Sequence, residues 1–452
     1  MFTSIPSLDI ILQALQPAFT EPSFRTHIEI LIGWVMCLGK RTEFGVFQTI
    51  MAGTPVSRKE RHPFDRYYNF FSRSAWTVTD LARLVAVAVV VALNPTGLLY
   101  LIVDDTLLHK RGLHVYGLGW FRDAVASTAK RVAVASGNHW VVIGLAIRIP
   151  GTNKIFCLPI HAKLHIAGKK NKSESTLAKE MLQDILQWFP ERKLVLIGDG
   201  AYSAQNLLAG LDPRVTYVGV MRADAEIYNP VAPEQSKSKR GPKAKKGPRF
   251  PSPAQAVKMA DNNSHGEGLW VWKNVTATCY GVTRKLQVLS FQADWPTVLG
   301  LMPILVVLVR DPQGKMDDKY LYTTDVNAKL SWVISTFSRR WSIEVMFKSS
   351  KQVMKIQNPQ HWCRQSIEKL APWVWLAQSE VSLWYITAGR HLPQARAACQ
   401  RMGDWDTEWS FTHMIRILRA EILANTIKPT SATKADLYEL LAALENYLHL
   451  AG

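Results

Sequence analysis

At 452 residues the chain is too long for one small core, so two to four domains are expected. A hydrophobic fraction of 48% argues against global disorder, and 54 Lys and Arg against 36 Asp and Glu leave a net charge of +18. That surplus favours a polyanionic partner, nucleic acid ahead of a membrane surface. Five scattered cysteines (Cys37, Cys157, Cys279, Cys363, Cys399) form no C-x-x-C pair, which speaks against a disulfide or zinc framework and fits free thiols in a reducing compartment.

The chain opens with Met1-Phe-Thr-Ser-Ile-Pro6, which has neither a basic n-region nor a clean signal peptide. Residues 22–93 read as helical, with Phe24–Met51 and Thr77–Leu93 the longest candidates. The apolar run Leu84–Leu93 is too short to span a bilayer and is stopped by Asn94-Pro-Thr-Gly97, so it reads as a buried helix. A cytoplasmic protein without membrane contact is expected. Arg58–His62 and Arg66–Tyr68 combine cations with aromatics, either as surface charge over a small helical core or as part of a nucleic-acid-binding module. No single helix-turn-helix signature picks out recognition residues.

From Leu98 the pattern changes to strands: Leu98–Val103, His139–Ile149 and Lys154–Ile160, the last two joined by a turn at Pro150–Asn153. A helix over Glu174–Phe189 follows, capped by Ser173, then a strand Lys193–Ile197, a helix from Tyr202 and a strand Val215–Val220. Asp104 ends the first apolar run and Asp199 the run Lys193–Gly198. Either could simply cap a turn or helix. His161 and His165, at a strand end beside Lys163, read as surface residues and not as zinc ligands.

The stretch Ser236–Arg249 is a low-complexity basic loop that includes Lys239, Arg240, Lys243, Lys245 and Lys246. It is either a solvated disordered segment or a phosphate-backbone contact that orders on binding. Strands are expected at Trp270–Thr278, Gly281–Gln292 and Met302–Arg310, with Tyr320–Thr323 leading toward a helix. Trp270 and Trp272 alternate with aliphatics on one side of a strand, a pattern that favours core packing. After Lys351 the chain reads as mainly helical, ending in an amphipathic stretch, Lys434–Leu450.

The run Phe337–Lys351 is the most informative. On a helix, Phe337, Arg340, Glu344, Lys348 and Lys351 share one face, placing one carboxylate among three cations. The plain reading is a solvated salt-bridge face; the functional one is a metal ligand flanked by groups that grip phosphate. Two strand-end aspartates and a helical glutamate are the parts of a two-metal phosphodiester site.

This constellation resembles the DDE transposases of bacterial insertion sequences, in the cut-and-paste branch whose last acidic motif reads Tyr-x2-Arg-x3-Glu-x6-Lys. Phe337-x2-Arg340-x3-Glu344-x6-Lys351 keeps that spacing, with Phe337 replacing the tyrosine and its hydroxyl. Val103-Asp104-Asp105-Thr106 is similar to the family's Asp-x-Thr, and Ile197-Gly-Asp199-Gly-Ala-Tyr202 to its strand-Asp-turn-helix motif. The likeness extends to Phe64–Trp76.

The resemblance implies an α/β fold: an RNase H-like catalytic core interrupted by a β-rich insertion, with helical N-terminal and C-terminal regions. The expected division is a helical DNA-binding region over 1–95, core over 96–222 and 319–360, insertion with the basic loop over 223–318, and a helical region over 361–452. In such a core the first and fourth strands lie side by side, bringing Asp104 and Asp199 together. The implied activity is binding of double-stranded DNA at element terminal inverted repeats, cleavage through hairpin ends and strand transfer into target DNA, in a homodimer. An aromatic of the insertion would hold a flipped base.

The expected cofactor is a pair of Mg²⁺ ions roughly 4 Å apart, with Mn²⁺ able to substitute. Asp104 would bridge both ions, with Asp199 and Glu344 each holding one. Asp105 is the rival first acid; Asp104 is preferred because it stands two before Thr106, as in the family, and strand alternation lets only one of the two neighbours serve. Arg340 and Lys351 would clamp phosphates, assisted by Lys348. Two other readings stand beside this one: a non-catalytic transposase-derived DNA-binding protein, and another RNase H-like structure-selective nuclease.

Overall fold

The apolar periodicity of the first ninety residues becomes five helices in the computed structural model, which describes residues 5–52, 64–94, 96–128, 131–230, 246–263, 268–300, 302–393 and 409–426. They are α1 (Pro6–Leu15), α2 (Glu21–Met36), α3 (Glu43–Ala52), α4 (Asp65–Ser72) and α5 (Val78–Leu93). The helix expected over Phe24–Met51 is thus two. Cys37 turns extended, and Leu38, Gly39 and Lys40 are exposed, so no buried stripe continues α2. The Thr77 hydroxyl accepts the Asp80 N–H at 3.1 Å and starts α5, which buries Leu81, Val85, Ala86, Val89 and Val90.

Ten strands form one sheet: β1 (Leu99–His109), β2 (Gly119–Arg122), β3 (Val134–Arg148), β4 (Ile155–His165), β5 (Leu194–Ile197), β6 (Val215–Val220), β7 (Lys273–Cys279), β8 (Val282–Asp294), β9 (Pro303–Arg310) and β10 (Lys319–Thr323). The order is β2-β3-β1-β5-β6-β10-β9-β8-β7, with β4 also on β3. β1 is antiparallel to β3 and parallel to β5, β5 is parallel to β6, and β10 is antiparallel to β6. The later strands therefore extend the central sheet. β2 has only four residues and no apolar alternation, which left it illegible in the sequence.

Three expectations change at the element ends. β1 does not stop at Val103: its pairing with β5 ends at Ile102, but its ladder with β3 continues to His109, so Asp104 lies mid-strand. β4 likewise runs to His165. The helix expected from Tyr202 is a 3-10 turn, Gly200–Tyr202, followed by the short α7 (Gln205–Leu208). By contrast α6 (Glu174–Trp188) begins as expected, with the Ser173 hydroxyl accepting the Thr176 N–H at 3.3 Å.

The remaining helices are α8 (Pro253–Asp261), α9 (Pro296–Leu299), α10 (Leu330–Ser338), α11 (Trp341–Gln352), α12 (Arg364–Thr387) and α13 (Phe411–Thr426). α12 is buried along almost its whole length and ties the helical regions at the two ends of the chain to each other. Trp373 on it donates its indole N–H to His27 Nδ1 at 3.0 Å, and the Trp34 indole donates to the Met354 carbonyl at 3.0 Å. The architecture is mixed α/β, with one large sheet between helical termini. Among the described residues no helix is long and apolar enough to cross a membrane. Cys37, Cys157, Cys279 and Cys363 are free thiols. Cys399, Arg58–His62 and Lys434–Leu450 lie outside the described residues.

Candidate active site

β1 and β5 run parallel with Ile102 opposite Ile197, so Asp104 and Asp199, each two residues further on, leave neighbouring strands at the same level. The backbone before Asp199 passes close to its surroundings. A Cβ on Gly198 would sit 2.6 Å from Tyr217 Oη and 2.9 Å from Tyr202 Cβ, which is why glycine stands there. Asp199 also caps the 3-10 turn, its Oδ1 accepting the Ala201 N–H at 2.9 Å.

Arg340 joins the strand acid to the helix acid. Its Nη1 donates to Asp104 Oδ2 at 2.7 Å and its Nη2 to Glu344 Oε1. Asp199 completes the group, close enough to act electrostatically on both Asp104 and Arg340. Burial pushes the Asp104 carboxyl up to about 7; Arg340 pulls the other way, and repulsion from Asp199 and Asp105 adds to the rise. Burial disfavours the charge on Arg340, but Asp104, Glu344 and Asp199 together lift it above the usual arginine value.

Asp105 points to the other face of the sheet. His139 Nε2 lies 2.7 Å from Asp105 Oδ2, and the Tyr202 hydroxyl donates to Asp105 Oδ1 at 3.2 Å. Alternation along β1 thus separates the two neighbouring acids as the pleat requires.

The helix expected over Phe337–Lys351 is broken. α10 ends at Ser338, and the turn closes through shorter i to i+3 bonds, Arg340 N–H to the Phe337 carbonyl and Ser342 N–H to that of Arg339, both at 3.0 Å. Phe337 therefore belongs to α10, only 8% exposed, and does not share the Glu344 face. Arg340 caps α11 and Glu344 lies in its first turn, where the helix dipole favours a carboxylate. Lys348 is exposed on the wall of a cavity of about 1150 Å³. Lys351 is half-buried, its charge disfavoured by burial and supported by Asp123. Lys246 packs its Nζ 4.8 Å from the Tyr228 ring centre. Lys239, Arg240, Lys243 and Lys245 lie outside the described residues.

Two aromatics near the acids escaped the sequence reading. Tyr280 and Gly281, at φ 52° and 79°, make the two-residue turn between β7 and β8, and the Tyr280 phenol lies within electrostatic reach of Arg340 and Glu344. It is 46% exposed, and Trp341 at the start of α11 is 56% exposed; both line the same cavity as Lys348. A Tyr-Gly pair between two strand patterns was the available signal. Trp270 instead packs on Phe250 and Phe291, and Trp272 donates to Asp261 at 3.0 Å under the Arg310 guanidinium. Both precede β7 rather than alternating along it.

The histidines also correct the sequence reading. His161 is 3% exposed, 2.9 Å from Asp184 and stacked on Trp188. His165 is half-buried beside Glu174. Both changes follow from β4 running on under α6.

No curated protein matches the chain. Among solved structures, the chain is similar to one titled "Cryo-EM structure of piggyBac transposase synaptic complex with hairpin DNA (SNHP)", at 12% identity over 98% of this chain and 83% of that one. The TM-score is 0.39, too slight a likeness to build on. The family described as DDE superfamily endonuclease matches residues 14–278, a span that holds Asp104 and Asp199 and stops before Glu344. That span is more than half of the 452 residues, and the chain belongs to the DDE superfamily endonucleases.

Proposed function

We propose that the protein is a DNA transposase of the insertion-sequence kind, which binds element ends and cuts and rejoins DNA with divalent metal. The observation that carries this reading is the meeting of Asp104, Asp199 and Glu344 around one guanidinium. The strand order β4-β3-β1-β5-β6, with β1, β5 and β6 parallel, supports an RNase H-like core. On this reading Asp104, not Asp105, is the first acid, because Asp105 is already engaged by His139 and Tyr202 on the far face.

The three residues fit hard divalent cations. They offer only carboxylate oxygens, gathered beside a single guanidinium. Asp104, Asp199 and Glu344 would hold Mg²⁺, with Mn²⁺ as substitute, and bound metal would supply an activated water or 3′-hydroxyl and a stabilised leaving oxygen. Arg340 presents a planar fork to a phosphate beside the acids, and Lys348 a mobile charge along the cavity wall. Tyr280 and Trp341 offer exposed rings on which an unpaired base can stack. Lys351, half-buried and within electrostatic reach of Asp123, would with Arg340 clamp a phosphate of the DNA backbone. Cut-and-paste chemistry through hairpin ends, action as a homodimer and contact of the Lys239–Lys246 segment with phosphates belong to the same proposal.

The test is Mg²⁺-dependent cleavage of DNA carrying the element's flanking ends, wild type beside Glu344→Ala. Cutting by wild type alone, with DNA binding retained in the variant, is the expected result. Equal cutting by both would remove Glu344 from the site. Binding without cutting by either would leave a DNA-binding protein that keeps the fold.

A further inference from the structure

Two histidines and a glutamate converge on the sheet face opposite Asp104. One ligand atom each from His139, His165 and Glu174 lie within 4.8 Å of one another. The register explains this: His139 on β3 pairs directly with His165 on β4, and Glu174 opens α6 above them. Glu174 Oε1 is 3.3 Å from His165 Nε2 and 3.7 Å from His139 Nδ1.

The outer hydrogen bonds point the ring nitrogens inward. The Lys172 carbonyl, 3.1 Å from His165 Nδ1, can only accept, so Nδ1 donates to it and Nε2 is the nitrogen that would face an ion beside Glu174. Asp105 Oδ2, 2.7 Å from His139 Nε2, accepts the hydrogen bond from its N–H, so Nδ1 is the nitrogen left to face the same ion. His139 Nδ1 is buried and makes no hydrogen bond. Two inward imidazole nitrogens and a carboxylate oxygen, each imidazole held from behind by an acceptor, form the pattern of a metal site with its supporting shell. Phe121 stacks on His139 at 4.8 Å and walls the group on one side.

We propose that His139, His165 and Glu174 bind one transition-metal ion, with Asp105 as the carboxylate that orients His139. Two imidazoles and one carboxylate suit Zn²⁺ and its first-row neighbours, whereas Mg²⁺ takes oxygen ligands. The ion would pin β3, β4 and the start of α6 together and give Asp105 a task distinct from that of Asp104. The site does not depend on the catalytic reading above.

The experiment uses the full chain, stripped with chelator and titrated with Zn²⁺, and with Co²⁺ followed by its visible absorption. Wild type and Glu344→Ala should each bind one Zn²⁺ at this site. Binding should be lost in His165→Ala and in Glu174→Gln, a half-exposed position where the fold is spared, and weakened about 10- to 100-fold in Asp105→Asn. Circular dichroism checks that each variant is folded. Absence of stoichiometric Zn²⁺ in wild type, or equal binding in folded His165→Ala and Glu174→Gln, overturns the proposal. So does an ion lost in Glu344→Ala but kept in Glu174→Gln, which would place it among the catalytic acids.

Discussion

Asp104 and Asp105 are the same residue type at adjacent positions of one strand, yet their surroundings share little. Asp104 faces α11 and meets Arg340, with Glu344 and Asp199 beside it; Asp105 faces α6 and meets His139 and Tyr202. The first face gathers three acids around one guanidinium, and burial, helped by repulsion from Asp199 and Asp105, pushes the Asp104 carboxyl up to about 7. On the second face each carboxylate oxygen of Asp105 has a partner. A side chain's chemistry here is set by which face of the pleat it takes and by which helix covers that face.

The largest effect is expected from neutralising an acid of the first face. Asp199→Asn should lower metal-dependent cleavage by roughly 10²–10³-fold or more, the scale of losing a principal transition-state charge, while DNA retention in a gel-shift assay stays intact. A smaller effect is expected from Arg340→Ala. That change leaves Asp104 and Glu344 without their shared partner, and should cost about 2 kcal/mol in urea unfolding without metal. The cost stays below that of a fully buried pair because the Arg340 side chain is 22% exposed. Mn²⁺ should restore part of the loss, since it supplies the charge that was removed.

The same buried carboxyl gives a pH effect. In the folded protein Asp104 holds its proton up to about pH 7, against about 4 in an unfolded chain. Between those values the folded state binds more protons, so this group lowers stability as pH rises, and the full cost is present above 7. Asp104→Asn removes the cost. Thermal unfolding in chelator should show the variant gaining on wild type as pH rises from 4 to 8, with little difference near pH 4. The smallest change is expected from Lys348→Ala, which should weaken DNA binding without regard to sequence and reduce the salt slope by about 1.

Much of this was legible because it rests on short-range pattern. The apolar runs before Asp104 and Asp199 announced two strands, and their parallel pairing brought the acids to one level. The spacing from Arg340 to Glu344 predicted that the two would meet, and they do, across the first turn of α11. What escaped depended on tertiary cover. The break at Arg339 and Arg340 follows a helix, α10, that buries Ile334 and Phe337, a tertiary arrangement that helical spacing alone cannot reveal. The extension of β1 to His109 needs β3 as partner, and the burial of His161 needs α6 above it. The His139, His165 and Glu174 group joins residues from three elements, so no local spacing could show it.

The most direct test sets the two neighbours against each other: rates of Mg²⁺-dependent end cleavage by Asp104→Asn and Asp105→Asn, measured side by side with wild type. Asp104→Asn is expected to lose cleavage by roughly 10²–10³-fold or more, and Asp105→Asn to stay within about tenfold of wild type. Loss of cleavage in Asp105→Asn with activity kept in Asp104→Asn would contradict this expectation, and would place the chemistry on the opposite face of the sheet.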